Sequence, residues 1–504
     1  LTLAVKAPHY PLLAFQDCEE RGIDDMNSKH LTRFAALAAA LALAACGGGS
    51  DEAPAEDASG SDEGGDGVVR PDTNPYPSTY EPRDGVVTLI RGATVYDGVG
   101  GVMENADVLM QDGRLVGVGA GLEAPEGATV IDAAGRFVTP GIIDIHSHLG
   151  VYPSPSVDAH SDGNELTQPN TAEVWAEHSV WPQDPGFEAA LAGGVTTLHV
   201  LPGSGNLFGG RGITLRNVSS RTVQGMKFPD APYTLKMACG ENPARVYGNR
   251  GRSPATDMGN MAGYRDSWIA ATEYRDSWHE YWEQAEAGEE VDPPGRNLEL
   301  ETMMGVLEGD ILVQMHCYRA DQMAFVLDMA EEFDYQVGTF HHGVETYKIP
   351  DLLAEHGVCA AVWADWGGFK LEAYDSVREN LALTHAGGAC AMIHSDDDQG
   401  IQRLNQEVAK ALSDGRRLGL EISDAEAWIW LTSNPARALG IFEETGSLEE
   451  GKRADVVLWD GDPFSVYARV DQVWIDGALM HDRYDEDRQP IRDFMLGQPG
   501  EGDI

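Results

Sequence analysis

The chain has 504 residues, room for one large α/β barrel with an accessory domain or for three small domains. Hydrophobic residues make up 42% and charged residues 23%, so most of the chain can bury a core. Its 35 Lys and Arg face 82 Asp and Glu, a net charge of −47 that repels phosphate backbones and argues against nucleic-acid binding.

Residues 1–25 precede Met26 without targeting logic and are expected to be a start-site extension. In 26–45, Lys29 and Arg33 form a basic start, and Phe34 to Ala45 an apolar run too short to span a bilayer. The run ends Leu43-Ala44-Ala45-Cys46, which resembles a bacterial lipobox. That resemblance implies a signal peptide, a lipidated Cys46 as mature N-terminus, and a membrane connection through that anchor alone. Gly47 after the cysteine resembles outer-membrane sorting, with the protein facing the periplasm. The Gly/Ser/Asp/Glu-rich stretch that follows cannot bury apolar surface, and 46–84 is expected to be a disordered acidic tether.

Short apolar runs with Asp97-Gly98 and Asp112-Gly113 turns fill 85–140 and read as hairpins. The same texture returns in 442–482, with Asp460-Gly461 and Asp476-Gly477, so both ends are expected to build one composite β-sandwich. Between them, 141–441 alternates strands and helices. Candidate strands are 141–148, 194–201, 212–218, 233–239, 311–317, 336–342, 357–365 and 389–397. Asp184-Pro185 opens one helix and Asn434-Pro435 another. The expected architecture is α/β, a (β/α)8 barrel with its chemistry at the strands' C-terminal ends. Residues 242–300 are long for a connection and should carry their own helix, with Tyr274, Trp278 and Trp282 on one face packing on the barrel, an active-site lid being the other reading. Residues 483–504 read as a tail. Six cysteines show no CxxC pair or disulfide-framework spacing; Cys317 and Cys390 are expected to be packing residues.

Metal-ligand residue types recur at the predicted strand ends. His146 and His148, two residues apart, share a face; Lys236, His316, His341-His342 and Asp396 occupy corresponding positions on later strands. Imidazoles plus a carboxylate aimed at one point form an N/O site suited to Zn²⁺.

With TPGIIDIHSHLG, GVTT, His316, HHG, HSDD, TSNPARALGI and TGSLEEGKRADVVLWDGDP in place, the chain from Gly85 to Asp482 resembles the amidohydrolase superfamily, in an imidazolonepropionase-related branch. The resemblance implies one or two divalent metals, with His146 and His148 on the more buried one. It makes Lys236 a carboxylated bridge, or else an ordinary amine beside a one-metal site with Glu241 as substitute ligand. It puts His316 and His342, with His341 as rival, on the second metal, and makes Asp396 both ligand and general base. A metal lowers the pKa of bound water from about 16 toward about 7, and Asp396 passes the proton to the leaving nitrogen. The expected reaction is hydrolysis of a C–N bond in a small cyclic or linear amide. A metallo-dipeptidase and a non-catalytic binding lipoprotein are the other readings. Arg211, Tyr318, Arg319 and His199 are candidate substrate contacts, the arginines as carboxylate clamps. A homo-oligomer is left open.

Overall fold

The computed structural model describes residues 68–154, 158–485 and 488. The segments expected to be a start-site extension and a signal with Cys46, and most of the expected C-terminal tail, fall outside them. No helix of the described residues is long and apolar enough to cross a membrane.

Both ends of the chain meet in one sheet. Strands β1 (Thr88–Tyr96), β2 (Val102–Gln111), β3 (Arg114–Gly119), β4 (Thr129–Asp132) and β5 (Phe137–Pro140) come first. The eight barrel strands are β6 (Ile142–Ser147), β7 (Val195–Val200), β8 (Phe208–Arg216), β9 (Thr234–Ala238), β10 (Leu312–His316), β11 (Val337–His341), β12 (Cys359–Val362) and β13 (Cys390–Ile393). Returning from the barrel, β14 (Val456–Trp459), β15 (Val470–Ile475) and β16 (Ala478–Asp482) complete the terminal sheet, because β14 pairs antiparallel with β5. All these terminal strands hydrogen-bond into a single eight-stranded sheet around a core that includes Ile90, Val108, Leu115, Val138, Leu458 and Trp474. Asp112-Gly113 and Asp476-Gly477 have positive φ at both residues, the geometry a tight hairpin turn demands.

The barrel strands follow one another around a second eight-stranded sheet. One runs the wrong way: β8 is antiparallel to both β7 and β9, and no helix stands on either side of it. The expectation of eight βα units is corrected here. Apolar alternation marks a strand but not its direction, and the seven-residue link 201–207 is long enough only for a hairpin. No backbone ladder joins β13 to β6. That seam is closed by Asp144, which accepts from Ser395 N at 3.1 Å and Ser395 Oγ at 2.5 Å, and by Asp396 N donating to the His146 carbonyl at 3.1 Å.

The flank bared by β8 is covered by the chain's own front end. Residues 68–84 contain no helix or strand, yet they are fastened down. Val69 N donates to Tyr281 Oη at 3.0 Å, Arg211 to the Thr73 carbonyl at 2.8 Å, and Lys227 Nζ to Asn74 Oδ1 at 2.8 Å and the Tyr76 carbonyl at 2.6 Å. A tether reading therefore does not extend to these residues; buried polar partners hold them where composition offers no core. At the end of β8, Arg216 is buried between Asp455 and Asp476 and joins barrel to terminal sheet.

The long connection after β9 carries a 30-residue helix, Asp257–Glu286. Tyr274, Trp278 and Trp282 pack with Tyr281, Met304 and Val68, as structural rather than lid residues. Asp184 caps the helix Pro185–Ala192 as expected, accepting from Gly186 N. The helix near Pro435 instead runs Ser433–Ala438, with Asn434 inside it.

Cys317 and Cys390, expected to be packing residues, are each in a disulfide. Cys239–Cys317 joins the residues just beyond β9 and β10; Cys359–Cys390 joins the starts of β12 and β13. Each pair spans adjacent strands in register, so the partners are set by sheet pairing, which sequence spacing does not display.

Candidate metal centre

Alternation along β6 turns Asp144 and His146 the same way. His148 follows the strand's end and brings its Nε2 to 3.2 Å from His146 Nε2. Asp396 Oδ1 lies 3.2 Å from His148 Nε2 and 3.5 Å from His146 Nε2. Tetrahedral ligands at the ~2.0–2.1 Å of a zinc–nitrogen bond stand about 3.3 Å apart, which is the spacing of this triangle.

The outer nitrogens fix which way the imidazoles face. His148 Nδ1 donates to the Leu201 carbonyl at 2.9 Å, so its Nε2 is a lone pair. His146 Nδ1 is 2.9 Å from His341 Nδ1, and His341 Nε2 is 2.7 Å from Gln314 Oε1. An oxygen can only accept, so His341 Nε2 holds a proton, His341 Nδ1 accepts, and His146 Nδ1 donates. His146 Nε2 is then also a lone pair, and two such nitrogens with a carboxylate oxygen make a donor set for a divalent cation.

Lys236, His316 and His342 adjoin this triangle. Lys236 is fully buried on β9, its Nζ 3.4 Å from His146 Nε2. Burial lowers its amine to about 7, against the upward pull of Asp396. His316 Nε2 is 3.4 Å from Asn242 Nδ2, while its buried Nδ1 has no hydrogen-bond partner among the described residues. His342 sits at φ 60° just past β11, its Nε2 3.8 Å from Asp396 Oδ2 and its ring 4.9 Å from that of His316. Of the two rivals on this strand, His342 faces Asp396 and His341 braces His146 from below. Burial, with neighbouring positive groups, holds His146, His316 and His342 far below their ordinary range, hence neutral and able to ligate. Burial raises the Asp396 carboxyl, but the adjoining His148 imidazole and the nearby Lys236 amine outweigh it and hold it below the usual carboxylate range.

Of the four expected substrate contacts, one reaches the centre. The Tyr318 ring is 4.6 Å from His316 and 5.9 Å from His342. Arg211 is corrected: it stands opposite Leu235 in register and shares that residue's outward face, where it donates to Thr302 Oγ1 at 2.8 Å and lies 4.2 Å over the Trp175 ring. His199 is a satisfied core residue, 3.0 Å from Thr214 Oγ1 and 2.8 Å from Thr234 Oγ1, with burial lowering it to about 3. Gly212 is required beside it, since a Cβ there would meet Thr234 Oγ1 at 2.5 Å. Arg319 is half-exposed and paired with Asp321. Glu241, the substitute ligand, pairs with Lys370 at 3.2 Å instead.

Three residues of the site are absent from the sequence reading. Asp144 and Gln314 position ligands, and buried His394 lies 4.7 Å from His342 and 5.3 Å from His146, ring to ring. The available signal was alternation: Asp144 is two residues before His146, and His394 two before Asp396.

The amidohydrolase family model matches residues 137–480. Amidohydrolase tasK of Hapsidospora irregularis is 31% identical over 437 residues, 80% of this chain and 44% of that protein, so the match spans less than half of that relative's length. Imidazolonepropionase of Mesorhizobium japonicum is 26% identical over 398 residues, 73% of this chain and 90% of that one. Among solved structures, an amidohydrolase from Thermotoga maritima MSB8 matches with TM-score 0.72 at 34% identity, over 79% of this chain and all of that one.

Proposed function

This chain belongs to the amidohydrolase family, and from that premise we propose that it is a metal-dependent hydrolase of non-peptide C–N bonds in small amides, cyclic or linear, with zinc as its metal. The observation that carries the reading is the His146–His148–Asp396 triangle, with both imidazole lone pairs turned inward. A bound divalent cation supplies Lewis acidity there, making water nucleophilic near neutral pH and polarising the carbonyl. His146 and His148 hold the ion, oriented by His341 and by the Leu201 carbonyl. Lys236, His316 and His342 hold a second one, with Lys236 carboxylated; the near-neutral amine that burial produces supports that modification. Asp396, ionised and next to both imidazoles, accepts the attacking water's proton and returns it to the leaving nitrogen. Arg211 is engaged with Thr302 and Arg319 with Asp321, which weighs against their use as the carboxylate clamp of a dipeptidase.

Two disulfides support an oxidising compartment, in keeping with export through the 26–46 signal and a lipid anchor at Cys46 on the periplasmic side of the outer membrane. The decisive experiment pairs metal analysis with Asp396→Asn on a panel of amides. The variant should keep its metal and lose about 10²–10⁴-fold in kcat. Full activity at normal metal content refutes the assignment.

A further inference from the structure

The loop after β12 places a run of rings against the metal centre. Trp363 stacks on His342 with centroids 4.5 Å apart at 22°, and its Nε1 donates to the Ser395 carbonyl, next to Asp396. Trp366 stacks on Trp363 at 5.6 Å. Phe369 stands edge-on to both Trp363, at 5.9 Å, and Tyr318, at 6.1 Å. Two inner rings thus lean on His342 and His316, and two outer rings lean on the inner pair. The outer rings face solvent: Trp366 is 45% exposed and Phe369 57% exposed, followed by Leu371 and Tyr374 at 85% and 72%. Four large apolar side chains bared within nine residues, on a loop at the catalytic end of a barrel strand, are a recognition feature and not scattered surface.

Beside Trp363 and Trp366 opens a cavity of about 180 Å³, with Val344 and Arg378 also in its wall. A cavity of about 150 Å³ suffices to take up benzene. Lys370 lies 4.1 Å over the Tyr318 ring and is paired with Glu241 and Glu372, while the cavity wall sets Asp365 as well as Arg378 beside the two tryptophans. Ring faces next to a ring-sized space suit an aromatic group.

Resting on the hydrolase reading above, the geometry points to an aryl subsite: Trp363, Trp366 and Phe369 receive an aromatic group carried by the substrate beside its scissile amide. The substrate class is then aryl amides or anilides, in place of small aliphatic amides.

Hydroxamates test this without knowledge of the substrate, because the metal-binding group stays constant while the substituent varies. On the zinc-loaded full chain, calorimetry should give benzohydroxamate a Kd at least ~10-fold below that of acetohydroxamate, the gain that burying a phenyl group brings. In Trp366→Ala/Phe369→Ala that ratio should fall below ~3-fold, with acetohydroxamate as the internal reference for the metal-binding group. Equal affinities in the parent chain, or a preference that survives the double substitution, overturn the subsite and leave the metal centre standing. If neither probe binds the zinc-loaded protein, the metal-centre reading falls and the subsite with it.

Discussion

Breaking the two disulfides separately should separate stability from metal binding. Cys239–Cys317 closes a loop with a sequence separation of 78, and Cys359–Cys390 one of 31. Restriction of the unfolded chain gives about 4.5 kcal/mol for the first and about 3.7 kcal/mol for the second at 25 °C. The two sit at opposite ends of the barrel. Cys317 directly follows His316 and Cys239 directly follows the strand bearing Lys236, whereas Cys359 and Cys390 begin their strands, away from the ligands. Cys239→Ala/Cys317→Ala should therefore cost the larger share of stability and also lose zinc faster to a chelator. Cys359→Ala/Cys390→Ala should cost somewhat less and retain metal like the parent. Guanidinium unfolding and timed metal analysis read both quantities. Thiol labelling of the unreduced, denatured chain should leave all four positions unlabelled. Free thiols at these positions, or identical metal loss in both variants, would refute the reasoning.

Asp455→Asn should destabilise by about 3–5 kcal/mol, because it strips the Arg216 guanidinium of its two-pronged partner in a buried site. Burial raises Asp455, but Arg216 and Thr445 Oγ1 outweigh it and hold it below the usual carboxylate range. With the folded value depressed, its contribution is complete above the unfolded value near 3.8 and is lost as pH falls below that through the folded value. Equal acid sensitivity of variant and parent in unfolding titrations would count against this. Arg211→Ala should lose about 1–3 kcal/mol by taking a donor from the Thr73 carbonyl and from Thr302 Oγ1 in a buried site, with kcat and KM unchanged; a raised KM would return Arg211 to the substrate. Asp144→Asn should keep the β13–β6 seam, since an amide oxygen still accepts from both backbone amides and its NH₂ can donate to Ser395 Oγ. Asp144→Ala should loosen Asp396 against His146, seen as a changed visible spectrum of the cobalt-substituted protein, and matching spectra would refute that role.

The strands were legible because each is a short apolar run closed by turn residues, and all eight barrel segments occur where those runs lie. The ligand-bearing ends were legible for the same reason: HxH, HHG and HSDD each end such a run. What escaped depends on direction and on partners distant in sequence. Nothing in FGGRGITLR says that β8 runs backwards, or that its register against β9 puts Arg211 beside Leu235 on the outer face, toward Trp175. Cys359 and Cys390 became partners because β12 pairs with β13 at that register. Asp144, Gln314 and His394 are polar residues within apolar runs, and their roles appear only once the barrel closes around them.

The antiparallel course of β8 has a practical consequence for anyone shortening this protein. A cut at residue 85, just ahead of the first strand, looks harmless on a strand diagram. It would remove the peptide that stands in for two absent helices, stripping partners from Arg211, Lys227 and Tyr281 and wetting a side of the barrel wall. Expression tags belong upstream of Val68, and a version trimmed further should yield aggregates.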